Sequence, residues 1–126
     1  MKIAFHGAAR TVTGSKHLLT LAGGQKYLLD CGLFQGMGKD TNTLNREWGF
    51  EPQEVKHVIL SHAHIDHCGL IPKLVKDGFE GEIFCTPATQ HLGNLLLEDS
   101  AEIQEDEIKY ANKRRAADGL PYLLPL

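Results

Sequence analysis

Hydrophobic and polar positions alternate, cluster and recur along the chain in a pattern that predicts most of its elements. KIAFH at 2–6 is short and β-compatible and predicts a first strand. GAARTVTGS at 7–15 is a loop of small residues, glycine and threonine. In KHLLTLAGGQKYLLD, 16–30, two β-compatible runs flank Gly23 and Gly24, which can supply positive φ at a turn, so a hairpin is predicted. The stretch 31–54 is a long, glycine-spaced polar connection, and connections of that length are functional or carry short structure of their own. KHVILS at 56–61 is apolar and β-branched and predicts another strand.

Beyond residue 69 the period changes. Leu70, Ile71, Leu74 and Val75 sit at helical spacing on one face, with Gly78 as the stop. GEIFC at 81–85 predicts a further short strand. Thr86 followed by Pro87 is a hydroxyl cap with proline at the first helical position. The helix it starts runs through Leu92, Leu95, Leu96, Ile103 and Ile108 to about Asp118, and Gly119 ends it. Lys109, Lys113, Arg114 and Arg115 fall in its last turns, where positive charge suits the helix dipole. The closing LPYLLPL predicts no element. The order βββ–β–α–β–α gives a mixed α/β class, and no internal repeat appears.

Composition changes this picture little. A chain of 126 residues suits one domain that buries roughly two thirds of its unfolded surface. Hydrophobic residues at 42% and charged residues at 23% are ordinary for a soluble globular protein. No apolar stretch approaches the roughly 18–20 residues a membrane span needs, and the N-terminus does not read as a secretory signal. Cys31, Cys68 and Cys85 form no C-x-x-C pair, which argues against a disulfide framework and for a reducing compartment. Together these predict a cytoplasmic protein with no membrane partner. The net charge of −3 offers no general basic field for nucleic acid, but leaves room for an enzyme whose bound metals attract phosphate.

The candidate chemistry lies in LSHAHIDHCGL, 60–70, where His62, His64, Asp66 and His67 crowd together directly after an apolar strand. In a roughly extended segment side chains alternate, so His62, His64 and Asp66 would share a face. His62 and His64 can then pinch one metal ion, while Asp66 and His67 reach a second as the chain turns away. Imidazole and carboxylate suit zinc, and also iron, manganese or nickel, so the ligands alone do not fix the metal. The helical H-E-x-x-H pattern is absent.

SHAHIDH resembles the signature of the metallo-β-lactamase superfamily. GAARTVTGS and LLDCG, 28–32, further resemble its β-CASP branch of RNA- and DNA-processing nucleases, and TPATQHLGNLLLEDSAEIQEDE, 86–107, is similar to the segment that follows the signature there. The resemblance implies a mixed β-sheet with flanking helices: the N-terminal half of an αββα sandwich. It implies His62 and His64 on a first metal, and Asp66 and His67 on a second. Asp66 would also orient or deprotonate the attacking water. Asp30, which alone reads as a turn residue at a strand end, would be a carboxylate supporting the metal loop.

A complete site in that family needs a third histidine for the first metal, a bridging aspartate, another histidine for the second metal and one acting as general acid. Nothing after residue 68 matches these; His91 is the single later histidine and reads as a surface residue. The expectation is therefore that 1–126 is the N-terminal part of such a domain, truncated before the remaining ligands and the β-CASP insertion. The longer protein is expected to hold two Zn2+ ions and to hydrolyse single-stranded RNA. This segment alone is expected to hold little or no metal, to be inactive, and to pair with itself through the uncovered face of its sheet.

Alternatives are a metallo-hydrolase of a small thioester, lactone or β-lactam, which the metal loop alone allows equally, and a non-catalytic metal-binding or interaction module. GAARTVTGS lacks the pattern of a nucleotide loop; the resemblance implies that it lies near the active site, with a backbone role at best for Gly14 and Ser15. Cys68 reads as a small apolar residue despite following a ligand. His6, His17 and His57 read as structural, and the Lys109–Arg115 cluster as a solvated helix end.

Overall fold

The sheet grows from the predicted hairpin. In the computed structural model, which describes residues 1–126, strands β2 (Lys16–Thr20) and β3 (Lys26–Leu29) pair antiparallel, with Leu18 opposite Leu28. Gly24 takes φ +86° in the turn between them, where a side chain would be strained. Strand β1 (Lys2–Gly7) adds antiparallel to β2. Strands β4 (Val55–Ile59) and β5 (Glu82–Phe84) add parallel to β3, giving the order β1-β2-β3-β4-β5.

Parallel neighbours need crossovers, and the two crossovers build one side of the molecule. The first, 30–54, contains helix α1 (Thr41–Arg46) and two single 3-10 turns, the short structure its length predicted. The second contains α2 (Ile65–Cys68) and α3 (Ile71–Lys76). Leu18, Leu28 and Val58 form a row across the sheet facing these crossovers, and the core closes on them with Cys31, Cys68, Leu70, Ile71, Leu74 and Phe79.

Val75, predicted on the buried face, is 52% exposed. Helix α3 is under two turns long, so only residues spaced like Ile71 and Leu74 reach the core. Gly78 stops the helix as predicted: at φ +114° it lets Phe79 N–H reach the Leu74 carbonyl at 3.0 Å and returns the Phe79 ring to the core.

Helix α4 (Pro87–Ala117) starts and ends where the sequence predicts. The Thr86 hydroxyl accepts from the Thr89 N–H at 3.2 Å. Gly93 is buried on α4 where a Cβ would lie 3.9 Å from that of Ala63, so the helix passes directly over the histidine-rich loop. The closing LPYLLPL folds back along α4. The Asn112 side chain holds it by accepting from Leu123 N–H (2.7 Å) and donating to the Leu123 carbonyl (2.9 Å). No helix is long and apolar enough to cross a membrane.

The other sheet face is uncovered. Phe5, His17, Leu29, Ile59 and Phe84 lie in register across all five strands, and Phe5, Ile59 and Phe84 are 65%, 46% and 50% exposed. On this face His17 meets the Phe5 ring edge-on, and His57 packs against Tyr27 and Phe84.

Candidate metal centre

Because β3 and β4 run parallel side by side, their carboxyl ends open on one edge of the sheet, the edge where ligands of open α/β sheets collect. Asp30 leaves β3 there, and the loop from Ser61 to His67 leaves β4 there. The Asp30 N–H still donates to the Ile59 carbonyl at 3.0 Å, and the backbone then turns at φ +59°, a left-handed conformation that aspartate tolerates better than most residues. That turn buries the carboxylate, leaving Asp30 8% exposed, and aims it across at the β4 loop.

There the Asp30 carboxylate organises the loop. Oδ1 accepts from the Ser61 N–H at 2.8 Å, and Oδ2 accepts from the Ser61 hydroxyl at 2.8 Å. Oδ2 also lies 2.8 Å from His67 Nδ1. A carboxylate only accepts, so His67 donates from Nδ1, which leaves its Nε2 on the side of Asp66. The Ser61 hydroxyl has one proton, given to Asp30, so it accepts from His62 Nδ1, 2.8 Å away. His62 thereby likewise donates from Nδ1. One buried carboxylate thus orients two imidazoles, one directly and one through Ser61, as carboxylates behind metal-binding histidines do.

Chain direction changes within the cluster. The backbone is extended through His64 (φ −100°, ψ 146°), then Ile65–Cys68 form the single turn α2, closed by the His67 and Cys68 N–H groups on the His64 carbonyl. Asp66 therefore stands on a helical turn and not on the extended face predicted for it. His62 and His64 face each other with ring centroids 4.6 Å apart, and His62 and His67 lie 4.0 Å apart. Asp66 Oδ2 is 3.4 Å from His67 Nε2.

No group of three or more His, Cys, Asp or Glu side chains surrounds a common point that could hold an ion. The His62 ring stands between those of His64 and His67, and the Asp66 carboxylate lies beside His67. In chemistry these donors fit a transition-metal ion: three imidazoles, two of them oriented through Asp30 and Ser61, and a carboxylate.

Backbone bonds pin the loop from below. The carbonyls of Ile65, Asp66 and His67 accept in turn from the N–H groups of Leu33 (3.0 Å), Ser15 (2.9 Å) and Cys31 (2.7 Å). Ser15 is thus a backbone contact to the 61–67 loop. Gly32 sits where these strands of chain meet, and a Cβ there would lie 1.7 Å from the Asp66 carbonyl oxygen. Gly32→Ala is expected to destabilise the protein by roughly 3 kcal/mol, since backbone must move to admit the methyl group. Chemical denaturation checks this, and wild-type stability in the variant would contradict the close approach.

Cys68 is fully buried in the core, and burial together with the nearby Asp30 and Asp66 carboxylates pushes its thiol up to about 11. Cys31 is likewise buried and pushed up to about 12. Both pack as apolar residues, as read for Cys68. His91 is exposed on α4. Sequence reasoning missed Ser61 and Gly32 as individual functional positions. The signal for Ser61 was present, a hydroxyl directly before the first histidine; Gly32 stood inside a quoted motif with nothing to mark its contact.

Comparison with known proteins gives the family. The model of the metallo-beta-lactamase superfamily matches residues 15–121. The chain is 44% identical over its full 126 residues to a protein named ribonuclease TTHA0252 from Thermus thermophilus, of which it covers 28%. It is 34% identical over 109 residues, 86% of the chain, to transcription termination factor FttA from Methanocaldococcus jannaschii, covering 17% of that protein. It is 30% identical over 134 aligned residues, spanning the whole chain, to Integrator complex subunit 11 from Danio rerio, covering 22% of it. The chain thus spans less than a third of the length of these relatives. Among solved structures, the short form of human tRNase Z matches 79% of this chain and 40% of its own at a TM-score of 0.50 and 21% identity, a likeness of fold. The five-stranded mixed sheet with flanking helices is the architecture expected, and the chain belongs to the metallo-beta-lactamase superfamily.

Proposed function

We propose that this chain is the N-terminal part of a metal-dependent ribonuclease of the β-CASP branch that hydrolyses phosphodiester bonds of single-stranded RNA. One observation carries the reading. The chain matches a protein named a ribonuclease along its whole length at 44% identity, and the match takes in the entire His62–His67 loop. No relative above is named as acting on a thioester, lactone or β-lactam.

In this reading His62 and His64 hold one divalent ion and Asp66 and His67 a second, with zinc the ion proposed for both. Bound there, such ions lower the pKa of a water and offset charge on the scissile phosphate. The residues of this chain do the rest. Asp66 orients the attacking water or takes its proton as the water oxygen bonds to phosphorus and one P–O ester bond breaks. Asp30 holds the His67 and His62 rings with Nε2 outward, and Ser15, Cys31 and Leu33 keep the α2 backbone fixed while charge develops.

The remaining ligands and the RNA cleft belong, on this proposal, to later parts of the longer protein. The test is incubation of that longer protein with single-stranded RNA and Zn2+ or Mn2+. Cleavage lost on chelation and restored by metal is expected; no cleavage across varied RNAs and metals would overturn the reading.

The second half of the domain would also cover the face bearing Phe5, Ile59 and Phe84. Residues 1–126 alone are therefore expected to self-associate and to hold little metal. Light scattering at micromolar concentration should give a dimer or larger, and a clean monomer would contradict this. With Cys31, Cys68 and Cys85 all free, a cytoplasmic location is proposed as well.

A further inference from the structure

Lys16 opens β2 and is 2% exposed, yet it belongs to no ion pair. A buried ammonium without a carboxylate is costly, and burial here pushes its pKa down to about 8. What surrounds it is specific. Nζ donates to the Gly14 carbonyl at 3.0 Å and to the Gly32 carbonyl at 2.8 Å, and lies 4.1 Å from the centroid of the Phe34 ring. These carbonyls belong to the two loops that pin α2. Ser15, next to Gly14, donates its N–H to the Asp66 carbonyl, and Gly32 donates its own N–H to the Ser15 carbonyl at 2.9 Å.

The loops have little freedom once clipped. A Cβ on Gly14 would lie 2.5 Å from the Phe34 ring, and one on Gly7 1.7 Å from the Gly14 carbonyl. Phe34 is itself fixed, its N–H donating to the Asn45 carboxamide oxygen (2.7 Å) while the Asn45 amide donates to the Phe34 carbonyl (3.0 Å). An apolar residue would fill the Lys16 position without the cost of a buried charge, but it could not join the two carbonyls.

We propose that Lys16 is a positioning residue of the metal centre, its ammonium cross-linking the Gly14 and Gly32 carbonyls so that the two loops hold the Asp66 backbone in place for metal binding. This rests on the reading of Asp66 and His67 as ligands. It places no contact between Lys16 and metal, water or RNA.

The experiment uses the longer protein and compares wild type with Lys16→Met, and with Leu74→Ala as a control that loosens the core without removing a hydrogen bond of either loop. Zn2+ affinity is measured by chelator competition, and kcat and KM on a single-stranded RNA. Lys16→Met is expected to lower affinity for one of two ions by roughly 10–100-fold, the range seen when residues behind metal ligands are removed, and to lower kcat with little change in KM. Leu74→Ala is expected to lose stability and keep both ions. Equal ion affinities in wild type and Lys16→Met, or the same affinity loss in Leu74→Ala, would overturn the positioning role. If Lys16→Met does not fold, Lys16→Gln replaces it, since its amide falls one bond short of the two carbonyls; wild-type ion affinity there would also overturn the proposal. Wild-type protein that binds no Zn2+ at all would instead sink the metal-site reading on which this one stands.

Discussion

In the longer protein, on the proposed ribonuclease reading, Asp66→Ala is expected to reduce RNA cleavage by on the order of 1,000-fold or more while RNA affinity changes little. The proposed role of Asp66 is double, as a metal ligand through its carboxylate and as the group that orients or deprotonates the water. Proton transfer by a positioned group alone contributes roughly 100- to 10,000-fold, and the ion would be loosened as well. The fold should survive, because α2 is held through main-chain atoms. Its three carbonyls from Ile65 to His67 accept from Leu33, Ser15 and Cys31, and none of those bonds involves the Asp66 side chain. Asp66→Asn keeps the shape and one oxygen donor, and is expected to lose nearly as much rate with a smaller loss of metal. Single-turnover cleavage assays check both. A variant retaining more than a tenth of wild-type activity would remove Asp66 from the chemistry.

Asp30→Ala is expected to cost more in stability than any single ligand substitution. It strips the acceptor from the Ser61 N–H, the Ser61 hydroxyl and His67 Nδ1 in a site where Asp30 is 8% exposed. Leaving buried donors unpaired costs about 1–3 kcal/mol each, and alanine at φ +59° adds about 1 kcal/mol. A total of at least about 4 kcal/mol is a large part of the roughly 5–15 kcal/mol typical of a domain. Asp30→Asn separates the two roles. Asparagine tolerates the left-handed backbone and can still accept from the Ser61 N–H, so most of the stability should return. Its amide nitrogen, however, presents donors where Oδ2 accepted. The His67 and His62 tautomers then lose their fixed direction, and metal affinity should stay about 10–100-fold down. Urea denaturation and chelator competition on the same samples give the two numbers. An Asp30→Asn variant with wild-type metal affinity would mean that the carboxylate does not orient the rings.

Much of this was legible in the sequence, and the parts that were not share a physical cause. The hairpin about Gly23 and Gly24, the α4 span from Pro87 to its end near Asp118, and the crowding of His62, His64, Asp66 and His67 are local patterns. Backbone propensity and side-chain period decide them within a few residues. The helical turn at Ile65–Cys68 was hidden because alternating histidines read as extended, and the N–H groups that close the turn on His64 carry no side-chain signal. Val75 was misplaced because six residues of helix bury a narrower stripe than a full-length pattern suggests.

Long-range contacts were the least visible. Nothing near residue 16 marks its lysine as buried. The carbonyls that take its protons come from two separate loops, and the sequence shows neither their approach nor the left-handed turn at Asp30. The Trp48 indole N–H donates to Asp77 at 2.7 Å, while Lys73 pairs with the same carboxylate and lies over the Trp48 ring. These contacts fasten the 30–54 crossover to α3, and polar residues in a predicted loop gave no hint of it. Asp30 itself entered through family resemblance and not through any local pattern. The structure supplies the physical reason for its place, a strand end lying beside the end of β4.

The claim that the 62–67 loop is a metal centre is tested most directly by metal content per chain. Elemental analysis of the tag-free longer protein, wild type beside the His62→Ala/His64→Ala double variant, gives it in one experiment. Two ions per chain in the wild type and one in the double variant are predicted. No bound metal in the wild type, or the same two ions after both histidines are removed, would contradict it.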